Sequence, residues 1–298
     1  VANLAFLGTG IMGSHMARRL AEDGARVLAW NRSAARVAAL APCGVASAAT
    51  PSRAVADAAA VVVMLSTGEV IDAVLFAPDA DGRVPAEAIA AGALVVVTSS
   101  IPVEAARAQA RRLAARGVRY VDAPVSGGER GARDGTLAIM AGGTPEDVEA
   151  AGALLAPLGR VTRMGPVGTG QLAKLANQIV VAGTLLAVAE AFTFARAGGA
   201  DLAALRAALS GGFTDSPVLR QHGERMVKAD YAPGSPARQQ AENLRNAEAQ
   251  ARAMGVALEL LPLAARAFAD MEATGRGGLD IAAIFEQVAA HARGSPLS

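Results

Sequence analysis

An apolar run at 4–7 passes without a break into Gly8-Thr9-Gly10-Ile11-Met12-Gly13, and helical spacing begins directly after it. A Gly-x-Gly-x-x-Gly that joins a strand to a helix constrains the fold strongly, because each glycine answers a separate steric demand. Gly8 permits a tight turn. Gly10 lets the backbone approach a pyrophosphate, and Gly13 lets helix and strand pack closely, with Thr9, Ile11 and Met12 lining the same turn. The N–H groups left open at the helix N-terminus favour an anion. The segment reads as a dinucleotide-binding turn.

The remainder of the chain agrees with that start. Apolar runs at 26–30, 61–65, 94–98, 119–121, 137–140 and 161–164 alternate with Ala- and Arg-rich stretches of helical period, the pattern of a parallel sheet covered by helices. After Gly170 the sequence is helix-forming, punctuated at Gly198-Gly199, Gly211-Gly212, Pro233-Gly234 and 275–278, with no strand alternation. The expected fold is α/β: a Rossmann-type parallel-sheet domain at 1–165, then an all-helical domain for substrate and oligomerisation at 166–298, opening on a long interdomain helix. A short polar end is expected at 294–298.

Composition narrows the class further. With 52% hydrophobic and 18% charged residues among 298, the chain can bury a sizeable core, which excludes disorder as its overall state. A net charge of +1, with no basic run, gives no electrostatic support for nucleic-acid binding. The apolar stretch 175–189 falls short of about 20 residues, so a buried soluble helix rather than a membrane span is expected. A start without a basic, cleavable leader predicts a cytoplasmic protein. The single Cys43 and the scattered His15, His222 and His291 predict neither a disulfide framework nor a metal site.

Three further features carry chemistry. The strand at 26–30 ends in Asn31-Arg32-Ser33, where an acidic residue would bind a ribose 2′-hydroxyl; amide, guanidinium and hydroxyl suit a 2′-phosphate instead, so NADP is expected over NAD. Leu65 and Ser66, which end the next strand, join the expected cofactor residues. Of the 28 Lys and Arg residues only Lys174 and Lys228 are lysines, and Lys174 opens the most apolar helix of the chain. A partly buried lysine can exchange a proton near neutral pH, which arginine cannot. Asn177 and Gln178, three and four residues on, share its helix face and offer amides to a substrate oxygen. In Asp122-Ala123-Pro124-Val125-Ser126-Gly127-Gly128, which follows a strand, Ser126 has a hydroxyl and Gly127-Gly128 expose backbone N–H groups to a carboxylate.

In this order and spacing, the motifs resemble the β-hydroxyacid dehydrogenase family across essentially the whole chain. The resemblance implies cofactor binding by Gly8, Gly10 and Gly13, substrate binding by Ser126, Gly127 and Gly128, and general acid/base catalysis by Lys174. Ser99-Ser100-Ile101-Pro102 looks like the family stretch that approaches the nicotinamide ribose, with Ser100 as the matching hydroxyl. The segment 174–178 and the stretch 211–219, which includes Ser216 as a substrate contact, look most like the tartronate semialdehyde reductases of the family. Glu242-Asn243-Leu244 departs from the family's Lys-Asp-Leu, with Arg238 and Arg245 one helical turn to either side as candidate replacements. The substrate amide is left open between Asn177 and Gln178. The resemblance implies a small carboxylated hydroxyacid or semialdehyde as substrate and a homodimer or homotetramer. An imine reductase and a non-catalytic NADP-binding module are the competing readings.

Overall fold

The computed structural model describes residues 3–292 and Gly294, so the polar end expected at 294–298 lies, apart from Gly294, outside the described residues. The chain divides into two compact units, Val1–Lys174 and Leu175–Ser298. The division falls beyond the expected 165/166 boundary because the start of the long helix Thr169–Ala197 is bonded into the first unit. The Gly168 and Gln171 N–H groups both donate to Asp122.

The first unit is built on strands β1 (Asn3–Leu7), β2 (Arg26–Trp30), β3 (Ala46–Ser47), β4 (Ala60–Val63) and β5 (Leu94–Val97). They are followed by β6 (Arg119–Asp122), β7 (Val125–Ser126), β8 (Leu137–Gly142) and β9 (Gly159–Gly165). The strand order is β3-β2-β1-β4-β5-β6-β8-β7, with β9 also paired to β8. From β3 to β6 every pairing is parallel; β8 then runs antiparallel to β6 and β7 and parallel to β9. Sequence alone does not show β3 or β7, because two residues are too few to display a period.

Successive residues of a strand point to opposite faces, and here both faces are covered. Leu4, Phe6, Val62 and Val96 enter one core, whereas Ala5, Leu7, Val61, Val63, Val95 and Val97 enter the other. That is why these strands read as unbroken apolar runs. The order of β1 and β4 around the first crossover makes their carboxyl ends the switch point, where ligands of such sheets bind.

The second unit is helical: the later part of the long helix, then Leu202–Leu209, Pro217–Lys228, Ala237–Met254, Leu260–Ala273 and Ile284–Ala292. Its breaks coincide with the glycine pairs, Pro233-Gly234 and 275–278, except the one at Gly255 between Ala237–Met254 and Leu260–Ala273, which is not among the expected breaks. Phe192 and Phe285, both fully buried, meet edge to face with centroids 6.2 Å apart, a geometry worth roughly 1 kcal/mol beyond burial. Buried Asp280 accepts from the Gly234, Ser235 and Ala282 N–H groups and pairs with Arg225, which holds the loop before Ala237.

The long helix departs from expectation. It runs 29 residues and buries one face, with Leu175, Ala182, Leu185, Ala189 and Phe192 inside, rather than being buried all round as read from 175–189; by length and composition it could cross a membrane. Val180 and Phe194 are 65% and 84% exposed.

Candidate active site

Every cofactor candidate lies at the carboxyl edge of the sheet. After β1, the Gly8 N–H donates to Trp30 O, which bends the chain into the turn. Gly8 has φ +104°, and a Cβ there would collide with Met64 O; a Cβ on Gly13 would collide with Gly8 O. Both glycines are therefore required by the protein itself. Gly10 is different: a Cβ there would meet nothing within 4 Å. It leaves room for something other than the chain.

The helix Ile11–Glu22 that follows has Gly10 as its N-cap, no side-chain cap and no acidic residue in its first turn. Its N-terminal donors are left to a ligand. Ile11 is exposed, Met12 is half-buried, and the buried Thr9 hydroxyl has no partner among the described residues. An orphaned hydroxyl, an open glycine and an uncapped helix start all fit a pyrophosphate. Asn31 serves the fold, since its Oδ1 accepts from the Thr9 N–H at 3.2 Å and its Nδ2 donates to Ser33 O at 3.2 Å. Arg32 and Ser33 are exposed beside it.

The loops after β4 and β5 are joined. The Leu65 N–H donates to Ser99 Oγ at 2.8 Å, so Ser99 is a buried brace while Ser100 and Ser66 stay exposed. Gln171, 1% exposed, donates from Nε2 to Ser99 O at 2.9 Å and accepts from the Ile101 N–H at 3.0 Å. Sequence reasoning gave no role to Gln171 or Ser99. The available signal was a glutamine one helical turn before Lys174, a polar residue facing the sheet unit from an apolar helix.

Lys174 follows Gln171 by that turn. Its side chain is half-buried, and burial pushes the ammonium down to about 8. Both protonation states are then populated near neutral pH.

Ser126 lies on β7, opposite Ala138 of β8. Gly127 (φ +137°) is the N-cap of the short helix Gly128–Asp134, and Gly128 (φ +61°) starts it. Glu129 in that first turn stands 3.4 Å from His15 Nε2. In the second unit, Gln178 donates to Gln240 Oε1 at 2.8 Å, and Gln240 Nε2 donates back to Gln178 O at 3.1 Å. Its amide ties two helices together. Ser216 caps Pro217–Lys228 by accepting from the Leu219 N–H. Glu242 is exposed, and Arg245 pairs with Glu272 at 2.6 Å, which commits one of the two candidate replacement cations.

A doubly wound sheet with an open Gly-rich turn at its switch point defines the class: a Rossmann-type dinucleotide-binding protein. Residues 3–168 match the family described as the NAD binding domain of 6-phosphogluconate dehydrogenase. Residues 168–288 match the NAD-binding family of NADP-dependent 3-hydroxyisobutyrate dehydrogenase. The 2-hydroxy-3-oxopropionate reductase of Escherichia coli (strain K12) is 37% identical over 288 residues, covering 95% of this chain and 96% of that protein. Glyoxylate/succinic semialdehyde reductase 1 of Arabidopsis thaliana is 29% identical over 284 residues, covering 95% and 97%. Among solved structures, the 3-hydroxyisobutyrate dehydrogenase of Mycobacterium tuberculosis with L-serine has a TM-score of 0.86 at 29% identity, covering 97% of this chain and 99% of that one. The chain belongs to the β-hydroxyacid dehydrogenase family of NAD(P)-dependent enzymes.

Proposed function

We propose that the enzyme interconverts a short carboxylated semialdehyde and its β-hydroxyacid, with 2-hydroxy-3-oxopropionate as the leading substrate and NADP preferred over NAD. The observation that carries this reading is Lys174: a half-buried amine, poised at about 8, one helical turn beyond a residue braced to the Ser99–Ile101 loop. When bound, the nicotinamide supplies or accepts a hydride.

In reduction, the Lys174 ammonium gives its proton to the carbonyl oxygen that becomes the alcohol. In oxidation, the neutral amine takes that proton back. Asn177 and Gln178, three and four residues from Lys174 on the same helix face, are the two candidates for the substrate amide, and Gln178 also donates to Gln240. Ser126, Gly127 and Gly128 hold the substrate carboxylate, which fixes its orientation. Ser216 acts as a helix cap. Gly8, Gly10 and Gly13, with Thr9, Ile11, Met12, Leu65, Ser66 and Ser100, hold the dinucleotide, and exposed Arg32 with Ser33 and Asn31 receives the 2′-phosphate. We further assign a homodimer or homotetramer, in which a second copy covers Val180 and Phe194.

Steady-state turnover of 2-hydroxy-3-oxopropionate, 2-methyl-3-oxopropionate (the aldehyde that reduces to 3-hydroxyisobutyrate) and succinic semialdehyde, each with NADPH and NADH, tests the reading. The highest kcat/KM is expected for the first substrate with NADPH. A preference for the second would reassign the enzyme as a 3-hydroxyisobutyrate dehydrogenase, and no turnover of any of them would end the proposal.

A further inference from the structure

The proposed reaction leaves the buried Asp122 without a role. Asp122 ends β6 with 0% exposure. Its Oδ1 accepts from the Gly168 N–H at 2.7 Å and its Oδ2 from the Gln171 N–H at 2.8 Å. A helix leaves its first N–H groups unsatisfied, and here a strand far away in sequence satisfies them. The seat is tight: a Cβ on Gly142 would lie 2.5 Å from Oδ1, and one on Gly170 would lie 2.8 Å from Oδ2. Gln171 then extends the clamp through its own side chain to Ser99 O and the Ile101 N–H.

Building on the assignment of Lys174 as the proton donor, we propose that Asp122 and Gln171 are its positioning residues. Asp122 sets the height and rotation of the helix turn that carries the lysine, and Gln171 locks that turn to the loop bearing Ser100. Both act through the helix backbone. A carboxylate accepts on both oxygens; protonation turns one of them into a hydroxyl, a weaker acceptor, so one of the two N–H bonds is weakened. The clamp is consequently sensitive to pH.

The elements packed on the carboxylate bring few charges. Gly142 comes from β8, and Gly168, Gly170 and Gln171 come from the helix start. Tyr120 on the same strand is the ionisable neighbour coupled to it, and burial keeps that phenol protonated. Arg163 of β9 donates to Gly143 O, one residue past Gly142. Lys174 lies one turn beyond Gln171. Burial raises the Asp122 carboxyl to about 6 despite its N–H donors, which places the transition inside the working pH range.

Hydrogen–deuterium exchange of the peptide 166–174 and the pH profile of kcat test the proposal on the full chain. Asp122→Asn keeps the side-chain shape but replaces one acceptor with a donor. We expect kcat at pH 7.5 to fall roughly ten- to hundred-fold, the scale of a modest misplacement, with NADPH affinity unchanged. Exchange of that peptide should rise, and the acid limb of the profile near pH 6 should vanish. Gln171→Leu should lower kcat while keeping the acid limb, and it serves if Asp122→Asn does not fold. In the wild-type chain, protection of the peptide should change between pH 7 and pH 5. Wild-type protection that is flat across this range, or an Asp122→Asn variant with unaltered exchange and kcat, overturns the clamp. Exchange requires no turnover, so a wild-type chain inert toward all semialdehydes would end the proposed reaction while pH-dependent protection still upheld the clamp.

Discussion

Two helices start at the carboxyl edge of the sheet, and their N-termini are treated in opposite ways. Ile11–Glu22 begins at Gly10 with no side-chain cap and no acidic residue in its first turn. Thr169–Ala197 has two of its leading N–H groups filled by a buried carboxylate from β6. A missing side-chain cap is not peculiar to the first, since Val103–Ala114 and Ala237–Met254 also lack one while Pro51–Val55, Gly68–Phe76 and Pro145–Leu155 are capped by threonine hydroxyls; what marks it is the orphaned Thr9 hydroxyl and the open Gly10 beside it. An omitted cap forgoes about 1 kcal/mol of helix stability. The difference teaches that one terminus leaves its anion site open to a ligand, while the other is filled from within by a carboxylate of the chain itself.

The largest expected effect concerns what the filled terminus supports. Lys174→Ala should reduce kcat by about 10²–10⁴, the usual worth of general acid/base assistance, with NADPH affinity unchanged. Lys174→Arg should fail to restore activity, because a guanidinium does not release its proton at ordinary pH. Since Lys174 sits at about 8, kcat for reduction should decline above that pH and kcat for oxidation should decline below it. Stopped-flow and steady-state rates in both directions from pH 5 to pH 10 check this. Profiles with the same basic limb in both directions would remove the lysine from the chemistry.

The open terminus is tested by two alanines placed three residues apart. A Cβ at Gly13 meets Gly8 O, so Gly13→Ala should unsettle the turn and lower the melting temperature. A Cβ at Gly10 meets nothing in the chain, so Gly10→Ala should melt like the wild type yet bind NADPH about a hundred-fold more weakly, equivalent to ~2.7 kcal/mol. Calorimetric titration alongside thermal melting separates the two. Unchanged affinity in Gly10→Ala would mean that nothing approaches the backbone there.

The filled terminus has its own stability signature. The folded-state pKa of Asp122, about 6, lies above an unfolded value near 3.9, so the folded state binds the extra proton first. Its contribution to stability is therefore greatest below about 4 and is lost as pH rises through about 6, a change of roughly 2–3 kcal/mol. Asp122→Asn should remove that slope from denaturation curves taken between pH 4 and pH 7. Activity and stability thus respond oppositely to acid: protonation relieves a buried charge but weakens one N–H bond at the helix start.

Much of this contrast was legible in the residues. The Gly-rich turn, the β2 end and Lys174 stand in local patterns, and local patterns report local geometry. Seven strands could be placed because a sheet buried on both faces makes continuous apolar runs. What escaped was non-local: Asp122 was visible as part of a loop motif, but its bonds reach Gly168 and Gln171, and no spacing rule links a strand end to a helix start that far along the chain. The bond from Gln178 to Gln240 escaped for the same reason, because it forms only when two helices pack. The Ser216 cap did not lie out of reach: its partner, the Leu219 N–H, is three residues on, within a local capping rule. The apolar stretch after Lys174 read as buried, since apolarity alone does not say what covers a helix face.

The smallest effect asks whether the open side of the turn serves one anion or two. The pyrophosphate contacts of Gly8 to Gly13 are common to NAD and NADP, so only the end of β2 can tell them apart. Arg32 is exposed there, whereas Asn31 is held by the Thr9 N–H and Ser33 O. Removing one charge-assisted contact to a phosphate costs about 1.5–3 kcal/mol, so Arg32→Ala should weaken NADPH by roughly ten- to hundred-fold and leave NADH untouched. Arg32→Asp should go further, because its carboxylate repels the 2′-phosphate and accepts from a ribose 2′-hydroxyl. Ratios of kcat/KM for the two cofactors measure the switch without depending on the substrate chosen. If Arg32→Ala weakens both cofactors equally, the guanidinium contributes only general positive charge near the turn, and the terminus at Gly10 discriminates nothing beyond a pyrophosphate.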